Sequence, residues 1–317
     1  MITLNDIYEA RERIKDYVHR TPLVKSKTIG DIAGCELYFK CENMQKTGSF
    51  KIRGAANKIL SLTPEEKERG VVCYSAGNHA QGVCAAASAT GVKSWVFMPE
   101  TAVKGKVDAC RGYGANVTLF GKNGGDVMPL ALKCRDENNL TYIDPCEDPY
   151  VMAGQGTAGL EIIEELKDCD AVYVPCGGGG LLSGVAVAIK SISPNTKVIG
   201  VEPETMDFVT ESYRQKKIIE KERQYSIADG LGGSKPGPVA FETVTKLVDD
   251  MVTVTDEEIA KVIPLFMYRT KMLAEPSAMV TLAAVLNKKS YIGKKTVCLL
   301  SGGNADMEMI ADILKKY

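Results

Sequence analysis

The sequence predicts an α/β fold built on parallel sheets. Short apolar runs rich in Val, Ile or Leu recur along the chain, and segments with helical periodicity lie between them. Runs of this length and composition are typical of strands buried in a parallel sheet. The predicted strands are residues 71–74, 94–98, 116–119, 171–175, 197–201, 251–254 and 296–300. Their alternation with helical segments indicates an α/β architecture.

One helix has a clear start signal. Residues 256–273 place apolar side chains on one face, behind a capping box formed by Thr255 and Glu258. Pro264 lies inside this segment, and we expect it to kink the helix.

Composition excludes several classes of partner. The 317 residues carry 39 Lys and Arg against 40 Asp and Glu, so there is no general electrostatic reason to expect nucleic acid or an acidic membrane. The N-terminus has no apolar segment of signal-peptide length, and no apolar run approaches a membrane span. We therefore expect a cytoplasmic protein.

The cysteines and histidines do not form a metal-binding pattern. The ten cysteines include no C-x-x-C pair, and several stand inside strand-like runs, where a free thiol behaves as a small hydrophobe. There are only two histidines. A zinc or iron–sulfur site is not expected.

The chain is long for one core, so a large domain with a smaller companion is expected. The proline-rich segment "IDPCEDPY", residues 143–150, marks the expected seam. We expect residues 1–47 and 149–317 to form a large domain, and residues 48–148 to form a small domain.

Four consecutive glycines, Gly177 to Gly180, follow a predicted strand and precede a predicted helix. Without Cβ atoms, several of their N–H groups can face one anion at the helix N-terminus, which indicates a phosphate site rather than a flexible turn. Glu202 ends the next strand, as a ribose-binding acid does in dinucleotide folds. However, G-x-G-x-x-G fits no register here, and there is no G-K-[ST] of a P-loop.

Two further loops follow predicted strands. Ser75, Gly77, Asn78 and His79 offer hydroxyl, amide and backbone donors for a carboxylate, although N-capping by Ser75 or Asn78 explains the pattern about equally well. Ser301 follows another buried strand, where two glycines also suit a tight turn. The carboxyl ends of parallel strands are where ligands gather in such folds.

Lys51 stands between Phe50 and Ile52, directly after a Gly-Ser pair. On its own it would be a solvated lysine at the start of an ordinary helix. Beside a phosphate site and a carboxylate site, it suggests pyridoxal 5′-phosphate, whose aldehyde forms a Schiff base with an uncharged lysine amine.

Five ordered motifs carry a family resemblance: "SFKIRGA", "SAGNHAQG", "AGQGTAGLEI", "PCGGGGLLSG" and "SGGN". With them the chain resembles the fold-type II pyridoxal-phosphate enzymes, and within these the serine/threonine dehydratase and serine racemase family. The resemblance runs from "RTPL" near residue 20 to the C-terminus. It implies two open, largely parallel twisted sheets flanked by helices, as in the tryptophan synthase β-like fold. It further implies that the large domain binds pyridoxal phosphate, that the small domain is mobile, and that the protein is a homodimer or homotetramer.

The resemblance assigns roles to individual residues. Lys51 would carry the cofactor, Phe50 would pack on its ring and Asn78 would bond the ring's 3-hydroxyl. Ser301 would meet the ring nitrogen. The phosphate would be held by Gly177, Gly178, Gly179 and Gly180, with the backbone of Leu181. The substrate carboxylate would be bound by the loop comprising Ser75, Ala76, Gly77, Asn78 and His79.

The implied reaction is deamination of L-threonine or L-serine to a 2-oxo acid and ammonia. Serine racemases of this family have a second serine where this chain has Ala76, so a proton donor on the face opposite Lys51 is missing and the dehydratase is favoured. 3-Hydroxyaspartate dehydratase stays open on the same scaffold. A nucleotide-binding protein built on the glycine loop is the alternative from another class.

Two regulatory expectations follow from the resemblance. Some relatives bind a divalent cation through two acidic residues; Glu202 is present, but Phe208 stands at the second position and Asp207 is one residue off. Dependence on a cation is therefore uncertain. The resemblance is to short forms without a C-terminal regulatory domain, and feedback inhibition by isoleucine is not expected.

Overall fold

Two sheets organise the chain in the computed structural model, which describes residues 1–317. The strands are β1 (Leu23–Ser26), β2 (Glu36–Cys41), β3 (Val71–Tyr74), β4 (Ser94–Met98), β5 (Asn116–Leu119), β6 (Thr141–Tyr142), β7 (Ala171–Pro175), β8 (Lys197–Pro203), β9 (Asp250–Val254) and β10 (Lys295–Leu300). All seven strands predicted from the apolar runs are confirmed.

Fourteen α-helices separate and flank these strands. They are α1 (Leu4–Ile14), α2 (Lys27–Ala33), α3 (Lys51–Leu60), α4 (Pro64–Arg69), α5 (Asn78–Thr90), α6 (Lys104–Gly112), α7 (Gly124–Asn138), α8 (Pro149–Glu165), α9 (Gly180–Ile192), α10 (Phe208–Gln215), α11 (Pro238–Leu247), α12 (Asp256–Thr270), α13 (Pro276–Leu286) and α14 (Met307–Lys316). None of them combines the length and the apolar content needed to cross a lipid bilayer.

The two sheets differ in size but share parallel pairing. The larger has the order β1-β2-β10-β7-β8-β9, and only its edge pair β1–β2 is antiparallel. The smaller has the order β5-β4-β3-β6 and is parallel throughout. Parallel neighbours need crossover connections, which the helices supply. The predicted α/β fold with two largely parallel sheets is confirmed.

The central strand β7 shows how the larger sheet is buried on both faces. Ala171 and Tyr173 pack into an apolar cluster with α12 and α13, whereas Val172 and Val174 pack into a second cluster with α8 and α9. Since successive strand residues point to opposite faces, a strand between two helical layers must be apolar at every position. This is why β7 reads as a continuous apolar run.

Some boundaries differ from the predictions. Helix α12 begins behind the predicted capping box, but it ends at Thr270 because Lys271 adopts a left-handed conformation with φ of 62°. The helix continues through Pro264. Strands β1, β2 and β6 were not predicted; β2 contains Glu36 and a buried Lys40, which break the apolar pattern.

The smaller sheet lies within residues 71–142. The division into residues 1–47 with 149–317 and residues 48–148, and the mobility of the smaller part, stay predictions.

Candidate active site

A cavity of about 670 Å³ lies at the carboxyl ends of β3, β7 and β10. Every cofactor- and substrate-site residue predicted from the sequence lines it. These residues are Phe50, Lys51, Ser75, Ala76, Gly77, Asn78, His79, Gly177, Gly178, Gly179, Gly180, Leu181 and Ser301. The structure therefore brings the predicted residues together in one place, and the roles that each would play stay predictions.

Lys51 is the first residue of α3 and its amine opens into this cavity. The side chain is half-buried, and Nζ donates a hydrogen bond to the carbonyl oxygen of Pro145 at 3.1 Å. Nζ also lies 5.2 Å from the centre of the Phe50 ring. The amine is thus held by one neutral acceptor and one aromatic ring, with no carboxylate bonded to it.

The segment before Lys51 is tied to the loop after β10. Phe50 N donates to the carbonyl of Ser301 at 3.0 Å, and Gly303 N donates to the carbonyl of Gly48 at 2.8 Å. Ser49 and Gly302 form an antiparallel bridge between these hydrogen bonds. Gly48 has a φ of 72°, a conformation that L side chains rarely adopt. This pairing places Lys51 and Ser301 in the same wall of the cavity.

Two residues after Lys51, Arg53 anchors α3 in a buried ionic cluster. The guanidinium of Arg53 is buried and donates to Glu42 Oε2 at 2.7 Å and to Glu161 Oε1 at 2.7 Å. Lys40 Nζ donates to Glu161 Oε2 at 2.5 Å. Burial opposes the charge of Arg53, but the two carboxylates raise its pKa above the usual range. Two cations and two carboxylates therefore compensate one another inside the protein.

The glycine turn after β7 presents free backbone donors. The N–H groups of residues 177–182 donate to no oxygen atom of the protein, and only that of Gly180 contacts a thiol, that of Cys146. Helix α9 begins at Gly180 with no side-chain cap. Gly179 has a φ of 91°. Unpaired N–H groups at a helix N-terminus are suited to an anion such as phosphate.

The same turn has no room for side chains. A Cβ on Gly178 would lie 2.6 Å from Cys146 Sγ, and one on Gly180 would lie 2.9 Å from the backbone of Cys146. A Cβ on Gly177 would lie 3.1 Å from Leu231 Cα. The glycines are therefore required for packing as well as for access to the N–H groups.

The loop from Ser75 to Asn78 turns from β3 into α5. Ser75 Oγ accepts a hydrogen bond from Gly77 N at 3.2 Å, and this bond stabilises the turn itself. Ala76 and Gly77 line the cavity, and a Cβ added to Gly77 would meet nothing within 4 Å. This loop is open enough for a small anionic group to approach the N-terminus of α5.

His79 is buried beside Lys51 and uncharged. Its Nε2 lies 2.9 Å from the carbonyl oxygen of Ile143, which can only accept, so Nε2 carries the proton and Nδ1 is an acceptor. Burial, followed by the charge of Lys51, lowers the pKa of His79 to about 3. The imidazole therefore has no proton to offer a carboxylate, and a contribution of His79 to carboxylate binding has to come from its backbone N–H.

Glu275 lines the cavity and was not found from the sequence. Its Oε1 accepts a hydrogen bond from Asn78 Nδ2 at 2.8 Å, while Asn78 Oδ1 accepts one from Asn304 Nδ2 at 2.8 Å. Burial raises the pKa of Glu275 to about 7. An acidic residue before Pro276, at the start of an apolar helix, was the signal available in the sequence.

Glu202 lies outside the cavity, and the structure gives its carboxylate other partners. It accepts hydrogen bonds from Val209 N at 3.1 Å and from Thr210 N and Oγ1 at 2.6 Å each. Phe208 is buried, and no group of three or more His, Cys, Asp or Glu side chains is placed to hold a metal ion. In this arrangement Glu202 binds the N-terminus of α10.

The chain is similar to known proteins along its whole length. The family described as "Pyridoxal-phosphate dependent enzyme" matches residues 14–303. An L-threonine ammonia-lyase of Thermotoga maritima is 48% identical over 316 residues, which are 100% of this chain and 79% of that protein.

Solved structures show the same likeness. Maize serine racemase has a TM-score of 0.94 at 35% identity, and the match covers 99% of this chain and 97% of that one. The processed form of threonine deaminase isoform 2 from Solanum lycopersicum has a TM-score of 0.94 at 35% identity, with 98% of this chain and 86% of that one covered.

Proposed function

The chain belongs to the pyridoxal-phosphate-dependent enzyme family, and we propose that it is an ammonia-lyase that acts on L-threonine, L-serine or both. Water leaves the substrate, and hydrolysis of the resulting enamine gives a 2-oxo acid and ammonia. The observation that carries this proposal is that the amine of Lys51 and the unpaired N–H groups of the glycine turn open into one cavity. Similarity to the Thermotoga maritima L-threonine ammonia-lyase supports it.

The residues present fit pyridoxal 5′-phosphate. The N–H groups of Gly177 to Leu181 would hold the phosphate, and Lys51 would bond the aldehyde carbon. Phe50 would lie against the ring, Asn78 would donate to the ring hydroxyl and Ser301 would face the ring nitrogen. When bound, the cofactor supplies an aldehyde that joins the substrate amine and a ring that accepts electrons from Cα.

The protein's own groups position the substrate and move its proton. The backbone N–H groups of the Ser75–His79 loop would bind the substrate carboxylate. Lys51, once its amine is released, would take the Cα proton on its own side of the substrate. Ser301 contributes a neutral hydroxyl, which does not enforce protonation of a ring nitrogen as a carboxylate would.

Ala76 favours elimination over racemisation. Exchange of configuration needs a proton donor on each face of Cα, and the methyl group of Ala76 cannot donate a proton. This residue is the observation that ranks the serine racemase function second, although maize serine racemase has a very similar fold. A 3-hydroxyaspartate dehydratase remains the third candidate.

Assays with a panel of hydroxyamino acids test the proposal. The purified protein is given L-threonine, L-serine and 3-hydroxyaspartate, and the release of 2-oxo acid and ammonia is measured. After borohydride treatment, peptide mass spectrometry should locate the cofactor on Lys51. A protein that neither retains pyridoxal phosphate nor releases 2-oxo acid when the cofactor is supplied would contradict the proposal.

We further propose that the enzyme is a cytoplasmic homodimer or homotetramer with a mobile small part comprising residues 48–148. Light scattering after size-exclusion chromatography measures the assembly. Hydrogen exchange with and without substrate tests the mobility of residues 48–148, since a mobile part should gain protection when substrate binds.

A further inference from the structure

The side-chain amide of Asn78 is held from both sides. Its Nδ2 donates to Glu275 Oε1, and its Oδ1 accepts from Asn304 Nδ2, each at 2.8 Å. Asn304 Nδ2 is itself fixed, because it also donates to the carbonyl of Thr47 at 2.9 Å. A rotated amide would place oxygen against oxygen and nitrogen against nitrogen. The orientation of Asn78 is therefore determined, and one of its N–H groups remains unused.

The carboxyl group of Glu275 lies close to two glycines. Its residue is 6% exposed, and its backbone N donates to the carbonyl of Gly302 at 3.0 Å. A Cβ on Gly302 would lie 2.5 Å from Oε1 of Glu275. On another side, a Cβ on Gly230 would lie 4.0 Å from the same oxygen. Glu275 is thus fitted between the loop after β10 and residue 230.

We propose that Glu275 is a positioning residue that holds the Asn78 amide so that its unused N–H is directed at the cofactor ring oxygen. This inference rests on the proposed function, because it takes the ring oxygen as the partner of Asn78. Glu275 acts through Asn78 and has no step of its own in the reaction.

The surroundings of Glu275 tune its charge. Burial raises the pKa of Glu275 to about 7, against the effect of the Asn78 hydrogen bond. Lys106 of α6 lowers this pKa, and Asp229 raises it. The other neighbours named above, Asn78 and the glycines, are uncharged. A carboxylate only accepts hydrogen bonds, whereas the protonated acid also donates one. The hydrogen bond between Glu275 and Asn78 should therefore change in strength near neutral pH.

The test uses the apoprotein and four variants, one of which, Asn78→Ser, serves only for assignment. Glu275→Gln keeps an acceptor for Asn78 but cannot ionise, and Glu275→Ala removes the acceptor. Glu204→Gln, at an exposed glutamate, is the matched control. Selective ¹⁵N-labelling of asparagine allows the side-chain amide signal of Asn78 to be followed from pH 5 to 9, with assignment by its loss in Asn78→Ser.

We expect the Asn78 signal to shift with a midpoint near pH 7 in the unmodified protein and in Glu204→Gln, and to be flat in Glu275→Gln. An unchanged titration in Glu275→Gln would overturn the inference. The dissociation constant of pyridoxal phosphate, measured by fluorescence, should rise about tenfold in Glu275→Ala and less in Glu275→Gln. Equal dissociation constants for Glu275→Ala and the unmodified protein would also overturn it.

The two proposals fail in different ways. If the unmodified protein binds no pyridoxal phosphate, the proposed function is wrong, while a titrating Asn78 signal in the apoprotein still supports the hold of Glu275 on Asn78. If the cofactor binds and Asn78 is indifferent to Glu275, the positioning role alone is wrong.

Discussion

Lys51 and Arg53 lie two residues apart on α3, yet their side chains enter regions that differ in how completely their polar groups are hydrogen-bonded. Arg53 enters a buried cluster in which each of its three guanidinium nitrogens has a carboxylate partner. Lys51 enters a cavity lined by residues 177–181, whose N–H groups donate to no oxygen atom of the protein. The polar groups of the ionic cluster are paired within the protein, whereas those of the cavity are free to bind a ligand.

This difference separates stability from function along one helix. Pairing inside the ionic cluster offsets the cost of burying charge, and it links α3 to β2 and α8. Unpaired donors in the cavity lower stability unless a ligand binds them. Substitutions in the two regions should therefore affect different measurements.

The largest effect on activity is expected from Lys51→Ala. Loss of the amine removes both the attachment point and the base, so turnover should fall by at least about 10⁴-fold. The free energy of unfolding of the apoprotein should change by less than about 0.5 kcal/mol, because no carboxylate loses its partner. Ammonia release by the mutant at the normal rate would refute the assignment of Lys51. Lys46→Ala, at an exposed lysine, is the control.

The largest effect on stability is expected from Arg53→Met. It leaves Glu42 and Glu161 buried with too little positive charge, and the free energy of unfolding should fall by about 3–5 kcal/mol. Arg111→Met is the matched control, because Arg111 is exposed and forms a weak ion pair, with 4.0 Å between its Nη1 and Asp108 Oδ1. That change should cost no more than about 1 kcal/mol. Denaturant titrations measure both, and equal losses would contradict the role given to the cluster.

Gly178→Val should weaken cofactor binding. The new Cβ would press on Cys146 Sγ, 2.6 Å away, and displace the neighbouring N–H groups. Overpacking of this kind typically costs about 1–3 kcal/mol, so the dissociation constant of pyridoxal phosphate should rise about 10- to 100-fold. Gly105→Val, where a Cβ would meet nothing within 4 Å, serves for comparison. Full retention of cofactor by the Gly178 variant after dialysis would place the phosphate elsewhere.

His79 gives the cavity wall a pH-dependent stability. Burial lowers the pKa of His79 to about 3 in the folded protein, whereas in the unfolded chain it has the ordinary pKa of 6.5. As the pH falls below 6.5, His79 is therefore protonated in the unfolded chain while it stays neutral in the folded protein. The stabilisation is therefore present above pH 6.5 and is lost toward pH 3, by up to about 1.4 kcal/mol per pH unit. In His79→Gln the loss of stability between pH 6.5 and 4 should be smaller than in the unmodified apoprotein. Parallel slopes in the two proteins would show that His79 is not shielded. His19→Gln controls for the loss of an imidazole.

Ala76→Ser should produce the smallest effect by adding one proton donor to the cavity. L-Serine should give little D-serine with the unmodified enzyme, and the variant should release D-serine as a minor product beside the 2-oxo acid. Chiral chromatography of the serine remaining after partial turnover measures this. Substantial D-serine from the unmodified enzyme would promote the racemase function to first place.

The sequence allowed the cavity to be predicted where its residues are neighbours in the chain. Gly177 to Gly180 are consecutive, and Lys51 stands within a recognisable motif, so local patterns were sufficient. Glu275 was missed because its partner Asn78 is 197 residues away, and only the folded chain brings them into contact. Lys40 was missed for a related reason: a charged residue in a strand looks exposed until Glu161 is seen beside it.

The antiparallel bridge between Ser49 and Gly302 has a consequence for how the protein is made. These residues are separated by most of the chain, so the wall of the cavity cannot close until residue 302 has left the ribosome. Contacts of such long sequence separation form slowly, after local helices and strands. A nascent chain will therefore expose Lys51 without its pairing segment for most of synthesis. Cofactor capture should therefore wait until the last strand, β10, has joined the sheet.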